Sequence, residues 1–290
     1  MLKYRAISFP VLMGLLWAVF FAPEKIGMWV FAFCAVSAIG VATYECAKMV
    51  DAGLFPCFPK TAGIVSALLT ASQLLPDCLD LSECATNMTD AVLFFTVVSY
   101  LPWLAVVFGG AETAKRGFTT LAVISTTTIP FVTVAKLYFP DPKYLFFVMM
   151  VTKSMDTGGY VFGMLSGKLL PGGNHKLCPS ISPKKSWEGF AGGVLLSVLT
   201  AWGLRALFPN WDFYPLGEFA WWKEIVLAVL LALASICGDL TESALKRKCG
   251  VKDSGHLIPG MGGPLDVLDS FIYVGPVCLI YSAILAAFKL

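Results

Sequence analysis

The chain has 290 residues, of which 57% are hydrophobic and only 14% are charged. Water-soluble domains average about a quarter charged residues, so this composition excludes an ordinary soluble protein and indicates several membrane spans. The formal net charge of +2 gives no basis for an electrostatic attraction to nucleic acid, so no nucleic-acid partner is expected.

Nine apolar segments approach or reach the ~20 residues that a bilayer-crossing helix needs. In chain order they are residues 7–22, 27–44, 61–76, 91–109, 119–139, 144–165, 189–207, 222–240 and 267–288. No small-residue cleavage site follows the first segment, so it is interpreted as a span rather than a signal peptide. Each segment is predicted to be helical, because lipid offers backbone groups no other partner. The sequence therefore predicts an all-α integral membrane protein of about nine transmembrane helices with no soluble domain.

Basic residues between these segments favour one side of the membrane. If the spans alternate, fourteen lysines and arginines fall on the side of the N-terminus and only four on the other. Cytoplasmic loops carry such an excess, so the N-terminus and loops 166–188 and 241–266 are predicted to be cytoplasmic. On the opposite side, Cys78 and Cys84 lie in one loop and could form a local disulfide in an oxidising compartment.

Lys153 and Asp156 are ionisable residues inside the sixth apolar segment, where charged side chains are costly. Their spacing places them on one helical face, where they can neutralise each other. A structural ion pair is one interpretation. A functional role is favoured, because the glycines that follow let another helix or a ligand approach closely. These glycines are Gly158, Gly159, Gly163 and Gly167.

The loop before the seventh segment ends in the sequence SPKKSWEG, residues 182–189. Lys184 and Lys185 could be simple anchors at the membrane surface. Alternatively, Ser182 and Pro183 open a helix with the proline at its first position. Two lysines at a helix N-terminus attract phosphate, so phosphate binding is predicted for this loop.

Residues 238–270 form a polar stretch between the last two apolar segments. Asp239 and Glu242 lie three residues apart at the end of the eighth segment, and Asp266 and Asp269 repeat this spacing at the start of the ninth. Two helix ends are thus predicted to direct carboxylates toward one point, and such hard oxygen ligands suit Mg²⁺. Solvated surface charge does not explain acids at two such positions.

Between these acids lie groups suited to binding phosphate. Lys246, Arg247 and Lys252 can hold phosphate oxygens, and the glycine-rich segment 259–263 predicts a tight or flexible turn. The chain has only two histidines and no Ser-His-Asp, Walker or zinc pattern. This absence fits phosphoryl-type transfer, in which positioning and charge neutralisation dominate.

Taken together, these blocks resemble the CDP-diacylglycerol synthase, or phosphatidate cytidylyltransferase, family. Its S-x-x-K-R-x4-K-D pattern is matched by Ser243, Lys246, Arg247, Lys252 and Asp253. Residues 259–270 resemble its P-G-H-G-G and D-R-x-D-S blocks, and residues 182–189 its S-P-K-K-T/S-W-E-G block. Residues 156–158 resemble its D-T-G/A segment. The matches lie in the family's order over residues ~150–270, whereas the N-terminal half resembles the family only in hydropathy.

Three positions depart from the family pattern. Met261 replaces the usual histidine, Pro264 an aliphatic residue and Val267 the usual arginine. Loss of a polar donor and of a cation beside the acids is expected to weaken phosphate binding or to shift lipid preference. Because all the matched acids and bases remain, activity is still expected.

The resemblance implies the reaction of CTP with phosphatidate to give CDP-diacylglycerol and pyrophosphate. It implies an enzyme in the bilayer of a bacterial inner membrane, with the active site facing the cytoplasm. Residues 1–140 would supply about five N-terminal spans and residues 141–290 the catalytic part. A homodimer is compatible with the sequence.

Site roles follow from the same resemblance. Asp239 and Asp266 would hold Mg²⁺, with Asp269 bound to the ion or supporting it, and a second cation is compatible with the site. The bases and the acid of the matched pattern would act in catalysis: Lys246, Arg247, Lys252 and Asp253. Substrate binding would fall to Asp156, Ser182, Lys184, Lys185, Gly262 and Gly263.

Two alternatives stay open at this point. A CTP-dependent lipid or polyprenol kinase would use similar residues but transfer the γ-phosphoryl group. A transporter or non-catalytic membrane protein would use Lys153 and Asp156 to mark a permeation path. The concentration of charge on one predicted face argues against the transporter.

Overall fold

The computed structural model describes residues 2–79, 88–171, 173–209, 211, 221–260 and 262–288. Helices dominate the described residues, as the apolar segments predict. They are α1 (Leu2–Phe21), α2 (Glu24–Gly53), α3 (Pro59–Cys78), α4 (Met88–Lys136), α5 (Pro142–Leu169), α6 (Trp187–Leu207), α7 (Trp221–Lys248), α8 (Pro264–Leu268) and α9 (Val274–Phe288). Two short strands, β1 (Lys176–Cys178) and β2 (Ser182–Ser186), lie between α5 and α6.

Five of the described segments are long and apolar enough to cross a membrane. They are Glu24–Gly53, Gly110–Lys136, Trp187–Leu207, Trp221–Lys248 and Pro264–Phe288. This confirms the all-α membrane class, while the count of nine spans stays a prediction. The last segment is interrupted, because a 3-10 turn, Asp269–Phe271, separates α8 from α9.

A kink at Gly110 divides α4. This glycine has φ 74° and ψ −173°, a conformation that is available essentially only to glycine. The sequence predicts a break near this point, because the fourth and fifth apolar segments, 91–109 and 119–139, end and begin on either side of it.

The chain divides into two compact units. The first unit comprises Met1–Val132 with Lys246–Leu268, and the second comprises Thr133–Leu245 with Asp269–Leu290. The polar stretch 238–270 therefore contributes to both units. The division near residue 140 into N-terminal spans and a catalytic part stays a prediction.

In the first unit, α2 and α3 pack closely through small residues. A Cβ atom added at Gly40 would come within 2.9 Å of Ala67 Cβ, and one added at Gly63 within 2.8 Å of Tyr44 Cβ. Buried hydroxyls also join α2, α3 and α4, since Thr43 Oγ1 lies 2.9 Å from Ser66 Oγ and 3.0 Å from Thr127 Oγ1. Small residues and hydroxyl hydrogen bonds are the usual means of holding helices together in lipid.

In the second unit, α5 and α6 approach each other at glycines. A Cβ atom at Gly158 would come within 2.8 Å of Gly193 Cα and 2.9 Å of Gly192 O. The prediction that the glycines after Asp156 permit close approach is confirmed for this helix pair.

The prediction that Pro183 opens a helix is wrong. Residues Ser182–Ser186 form β2, which pairs antiparallel with β1, with Lys176 opposite Ser186. Helix α6 begins four residues after Pro183, where the Ser186 side chain accepts a hydrogen bond from Gly189 N at 3.1 Å. A serine N-cap satisfies a free helical N–H, and a two-stranded hairpin tolerates proline, because one edge of each strand is unpaired.

Candidate functional site

An open cavity of about 260 Å³ lies in the second unit, among α5, β2, α6 and α7. Its polar lining includes Asp156, Ser182, Lys184, Lys185 and Asp239. Four residues predicted to bind substrate and one predicted metal ligand, distant in sequence, therefore meet around one space. Apolar lining comes from α5, α6 and α7, so the cavity combines charged and apolar lining.

Lys185 and Asp239 form the closest ion pair of this cavity. Lys185 Nζ lies 2.7 Å from Asp239 Oδ2, and the two side chains are 20% and 30% exposed. The hairpin explains this geometry, because β2 carries Lys185 beside Asp239, which lies within α7 and not at the helix end that the sequence predicts. The other oxygen, Asp239 Oδ1, accepts a hydrogen bond from Ser243 Oγ at 3.2 Å.

Asp156 is held by donors from two helices. Lys153 Nζ, one turn earlier on α5, lies 3.1 Å from Asp156 Oδ2, which confirms the predicted pairing. Ser235 Oγ on α7 donates to Asp156 Oδ1 at 3.3 Å. Lys153 also donates to Ser270 Oγ at 2.6 Å, so it links α5 to the turn that carries Asp269.

Asp269 completes the acidic group of the second unit. The carboxylates of Asp239 and Asp156 repel it and the Lys153 ammonium attracts it. A Cβ atom at Gly238 would overlap the Asp269 carbonyl oxygen, so α7 and the 3-10 turn pack without space for a side chain. Asp239 and Asp269 are thereby kept close together, while the convergence of both pairs of acids on one point stays a prediction.

These carboxylates fit a magnesium ion that completes its coordination with substrate. No group of three or more His, Cys, Asp or Glu side chains in the described part of the chain could hold a metal alone. Mg²⁺ commonly takes one or two carboxylates, with waters and substrate phosphates supplying the other oxygens. Asp239 and Asp269 match that smaller requirement, and their lysine neighbours balance the charge.

Asp266 belongs to a separate cluster in the first unit. Its Oδ1 accepts a hydrogen bond from Lys246 Nζ at 2.9 Å, and the pair is only 12% and 10% exposed. Its Oδ2 accepts from Ser254 Oγ at 2.8 Å, Ser254 N at 3.0 Å and Gly263 N at 2.8 Å. Both oxygens therefore already have protein donors, and the metal role of Asp266 stays a prediction.

The glycine-rich turn before α8 brings Gly263 to this carboxylate. Gly260 and Gly262 have φ values of 81° and 94°, which a residue with a side chain adopts only with strain. Ile258 N donates to Gly262 O at 2.8 Å, so the turn closes on itself. The predicted tight turn is confirmed for these residues, while Met261 lies outside the described ones.

The two other departures from the family pattern lie on α8. Pro264 is buried and is the first residue of that helix, a position at which proline's missing N–H has no consequence. Val267 is half-buried on the same helix.

The remaining predicted catalytic residues lie on the surface of the first unit. Arg247, Lys252 and Asp253 are exposed, and Arg247 Nη1 donates weakly to Val251 O at 3.4 Å. Their predicted roles in binding phosphate remain predictions.

Glu45 is a charged residue that the analysis of the sequence missed. It lies on α2, is only 5% exposed, and its Oε2 accepts hydrogen bonds from Leu265 N at 3.1 Å and Ser254 Oγ at 3.3 Å. An ionisable residue within a bilayer-crossing segment is a functional candidate by default, so its position beside segment 27–44 was the available signal.

The described structure is that of a helical membrane protein with carboxylates and lysines around an open cavity. These features define a class of membrane protein that is suited to phosphate-bearing ligands. Residues 3–285 match the model of the cytidylyltransferase family. The chain therefore belongs to the cytidylyltransferase family.

Curated relatives carry the name phosphatidate cytidylyltransferase. The relative from Bacillus subtilis is 34% identical over 74% of this chain and 76% of its own length. The one from Staphylococcus epidermidis is 32% identical over 76% of this chain and 78% of its own length. The one from Staphylococcus saprophyticus is 41% identical over 46% of each chain, so that match spans just under half of the relative.

Proposed function

We propose that this protein is a phosphatidate cytidylyltransferase, which joins CTP and phosphatidate to give CDP-diacylglycerol and pyrophosphate. One observation carries the proposal: residues of two separate family-like blocks and a predicted metal ligand line one cavity in the second unit. Asp156 and Lys185 represent the two blocks, and Asp239 is the predicted metal ligand. The names of the curated relatives support the same reaction.

The chemistry requires a nucleophile and a leaving group that are both phosphates. A phosphatidate oxygen attacks the α-phosphorus of CTP in line, and the bond from that phosphorus to the bridging oxygen of the β-phosphate breaks. Pyrophosphate leaves with the bonding electron pair, and no covalent enzyme intermediate is needed. The enzyme's task is therefore to align two polyanions and offset their repulsion.

Lysines of the cavity are placed for that task. Lys184 is exposed and Lys185 is half-buried, so one ammonium group is open to an incoming phosphate while the other is held against Asp239. Phosphate oxygens would compete for Lys185, and Ser182 adds a hydroxyl donor to the same wall. The apolar lining of Met155, Tyr160 and Phe190 suits the lipid part of phosphatidate.

Asp239 and Asp269 would hold Mg²⁺, which when bound neutralises phosphate charge and polarises the α-phosphate. The proposal that Asp266 is also a ligand requires its oxygens to exchange bonds now made with Lys246 and Ser254. Lys153 would fix the position of Asp156 relative to the turn that carries Asp269. A bacterial inner membrane, with the cavity open to cytoplasmic CTP, is the proposed location.

Labelled CTP tests the reaction. Purified protein is incubated with Mg²⁺, phosphatidate vesicles and CTP carrying label at either the α- or the γ-phosphate. Label from the α-position in the lipid product, with labelled pyrophosphate from the γ-position, is the expected result. Label from the γ-position in the lipid would instead establish a CTP-dependent kinase. Absence of turnover together with absence of CTP binding would favour a non-catalytic membrane protein.

A further inference from the structure

Glu45 is a buried carboxylate far in sequence from the segment it contacts. It lies on α2 in the first unit, yet it accepts hydrogen bonds from Ser254, in the segment between α7 and α8, and from Leu265 on α8. Leu265 N lies in the first turn of α8, where a backbone N–H has no partner within the helix, and the Glu45 carboxylate supplies the acceptor.

Two glycines of the same segment adapt the backbone to this side chain. A Cβ atom at Gly255 would overlap Glu45 Oε1, and one at Gly263 would overlap both Glu45 oxygens. In each case the three nearest atoms belong to the Glu45 side chain alone. The segment therefore encloses the carboxylate from two sides, which only residues without a side chain permit.

Glu45 and Asp266 share one hydrogen-bond donor, the Ser254 hydroxyl. The Ser254 hydroxyl lies 3.3 Å from Glu45 Oε2 and 2.8 Å from Asp266 Oδ2. Gly263 donates its N–H to Asp266 Oδ2 at 2.8 Å while its Cα faces the Glu45 carboxylate. A displacement of Glu45 would thus shift Ser254 and Gly263, two of the residues that donate hydrogen bonds to Asp266.

We propose that Glu45 is a positioning residue, which orients the Asp266 carboxylate for the reaction by fixing Ser254, Gly263 and the start of α8. The expected effect of Glu45 on turnover rests on the proposed function, whereas its expected effect on the structure does not. This positioning role gives the N-terminal part of the chain, for which the motifs of the sequence predict no role, a defined place beside Asp266.

The first test compares Glu45→Ala and Glu45→Gln with Thr43→Val. We expect Glu45→Ala to lower kcat by roughly 100-fold, since a small misplacement of a site group has about that effect. Glu45→Gln should recover most of the activity, because its amide oxygen can accept the same two hydrogen bonds. Thr43→Val removes a buried polar group from the same helix, where Thr43 binds Ser66 and Thr127, and serves as the control for stability.

A double-mutant cycle tests the contact itself. Gly255→Ala should lower kcat in the parent protein, because the added methyl group displaces the Glu45 carboxylate. The same substitution in the Glu45→Ala background should have little further effect, since the overlapping atoms are gone. Additive losses of activity in the double variant would overturn the proposed contact.

Limited proteolysis provides a readout independent of turnover. Lys252 is exposed in the segment that Glu45 holds, so Glu45→Ala should speed tryptic cleavage after Lys252, whereas Thr43→Val should not. If the parent protein cleaves no CTP, the proposed function fails, and faster cleavage in Glu45→Ala still supports the structural role. Unchanged cleavage and kcat in Glu45→Ala, or an equal loss of kcat in Thr43→Val at equal thermal stability, would overturn the inference.

Discussion

At the scale of single residues, two of the predicted metal ligands, Asp239 and Asp266, each form an ion pair with a lysine. The two ion pairs lie in different units of the chain. Lys185 lies 2.7 Å from Asp239 in the second unit, and Lys246 lies 2.9 Å from Asp266 in the first. Removing one member of a poorly solvated ion pair leaves the other charge uncompensated, which is strongly unfavourable. Each of these acids should therefore be replaced by a residue whose side chain has the same shape.

Asp239→Asn and Asp269→Asn are each expected to reduce kcat by about 100- to 1000-fold, as does removal of one electrostatic group from other active sites. The physical reason is the loss of a carboxylate that would hold Mg²⁺. Turnover of α-labelled CTP, measured over a magnesium titration, is the check. Glu112→Gln, which changes an exposed carboxylate paired with Lys115, should leave turnover unchanged. Near-normal kcat in Asp269→Asn would contradict its role.

Asp266→Asn is expected to abolish turnover while the protein remains folded. The asparagine oxygen can still accept from Ser254, but the Lys246 ammonium loses its charged partner. Thermal unfolding in detergent, recorded beside the turnover assay, separates the two effects. Substantial turnover in a folded variant would refute the role of Asp266 in the reaction.

At the scale of elements, the site depends on how closely α5 and α6 pack. Glycines at both surfaces let the backbones approach, which places Asp156 on α5 in the same cavity as the lysines of β2. Because interiors are densely packed, an added methyl group at such a contact forces the helices apart or strains them.

Gly158→Ala is therefore expected to lower the free energy of unfolding by about 1–3 kcal/mol and to reduce turnover, because the new Cβ meets the backbone of Gly192 and Gly193. Gly203→Ala is the matched control on α6, since no atom lies within 4 Å of its added Cβ. That control should keep or slightly raise stability, because alanine favours helix more than glycine does. Equal losses in both variants would contradict the packing argument.

The connection between α5 and α6 shows why an element can be assigned wrongly from local signals. Ser182 and Pro183 resemble a helix start, and Ser186 is an equally good cap four residues after Ser182. Pairing with β1 decided between them, because it fixes residues Ser182–Ser186 in an extended conformation. The lysines of this segment consequently reach the cavity from a strand and not from a helix N-terminus.

At the scale of the whole molecule, the distribution of basic residues predicts that loops 166–188 and 241–266, both predicted to bind phosphate, face the cytoplasm. Single cysteines introduced as Lys176→Cys and Leu79→Cys, both at exposed positions, test this sidedness in a cysteine-free background. A membrane-impermeant thiol reagent should label position 176 only from the cytoplasmic side and position 79 only from the other. Labelling of both positions from one side would contradict the predicted topology.

The sequence predicts most of the helical segments and many of the chemical groups of the site, because both depend on local patterns. Apolar runs identify the helices, and the spacing of Lys153 and Asp156 predicts their pairing. It does not identify Glu45 as a partner of Ser254, 209 residues later, because no local period connects them. The disulfide between Cys78 and Cys84 stays a prediction, since Cys84 lies outside the described residues.

Composition and motif order by themselves determine that this is a helical membrane protein with the residues of a cytidylyltransferase, because lipid and phosphate each demand particular side chains. Only the tertiary structure decided how those residues are grouped. It places Asp239 and Asp269 with Lys185 in one compact unit, and Asp266 with Lys246 and Glu45 in the other. The physical reason is that packing at glycines and long-range hydrogen bonds, rather than spacing along the chain, sets which carboxylates share donors.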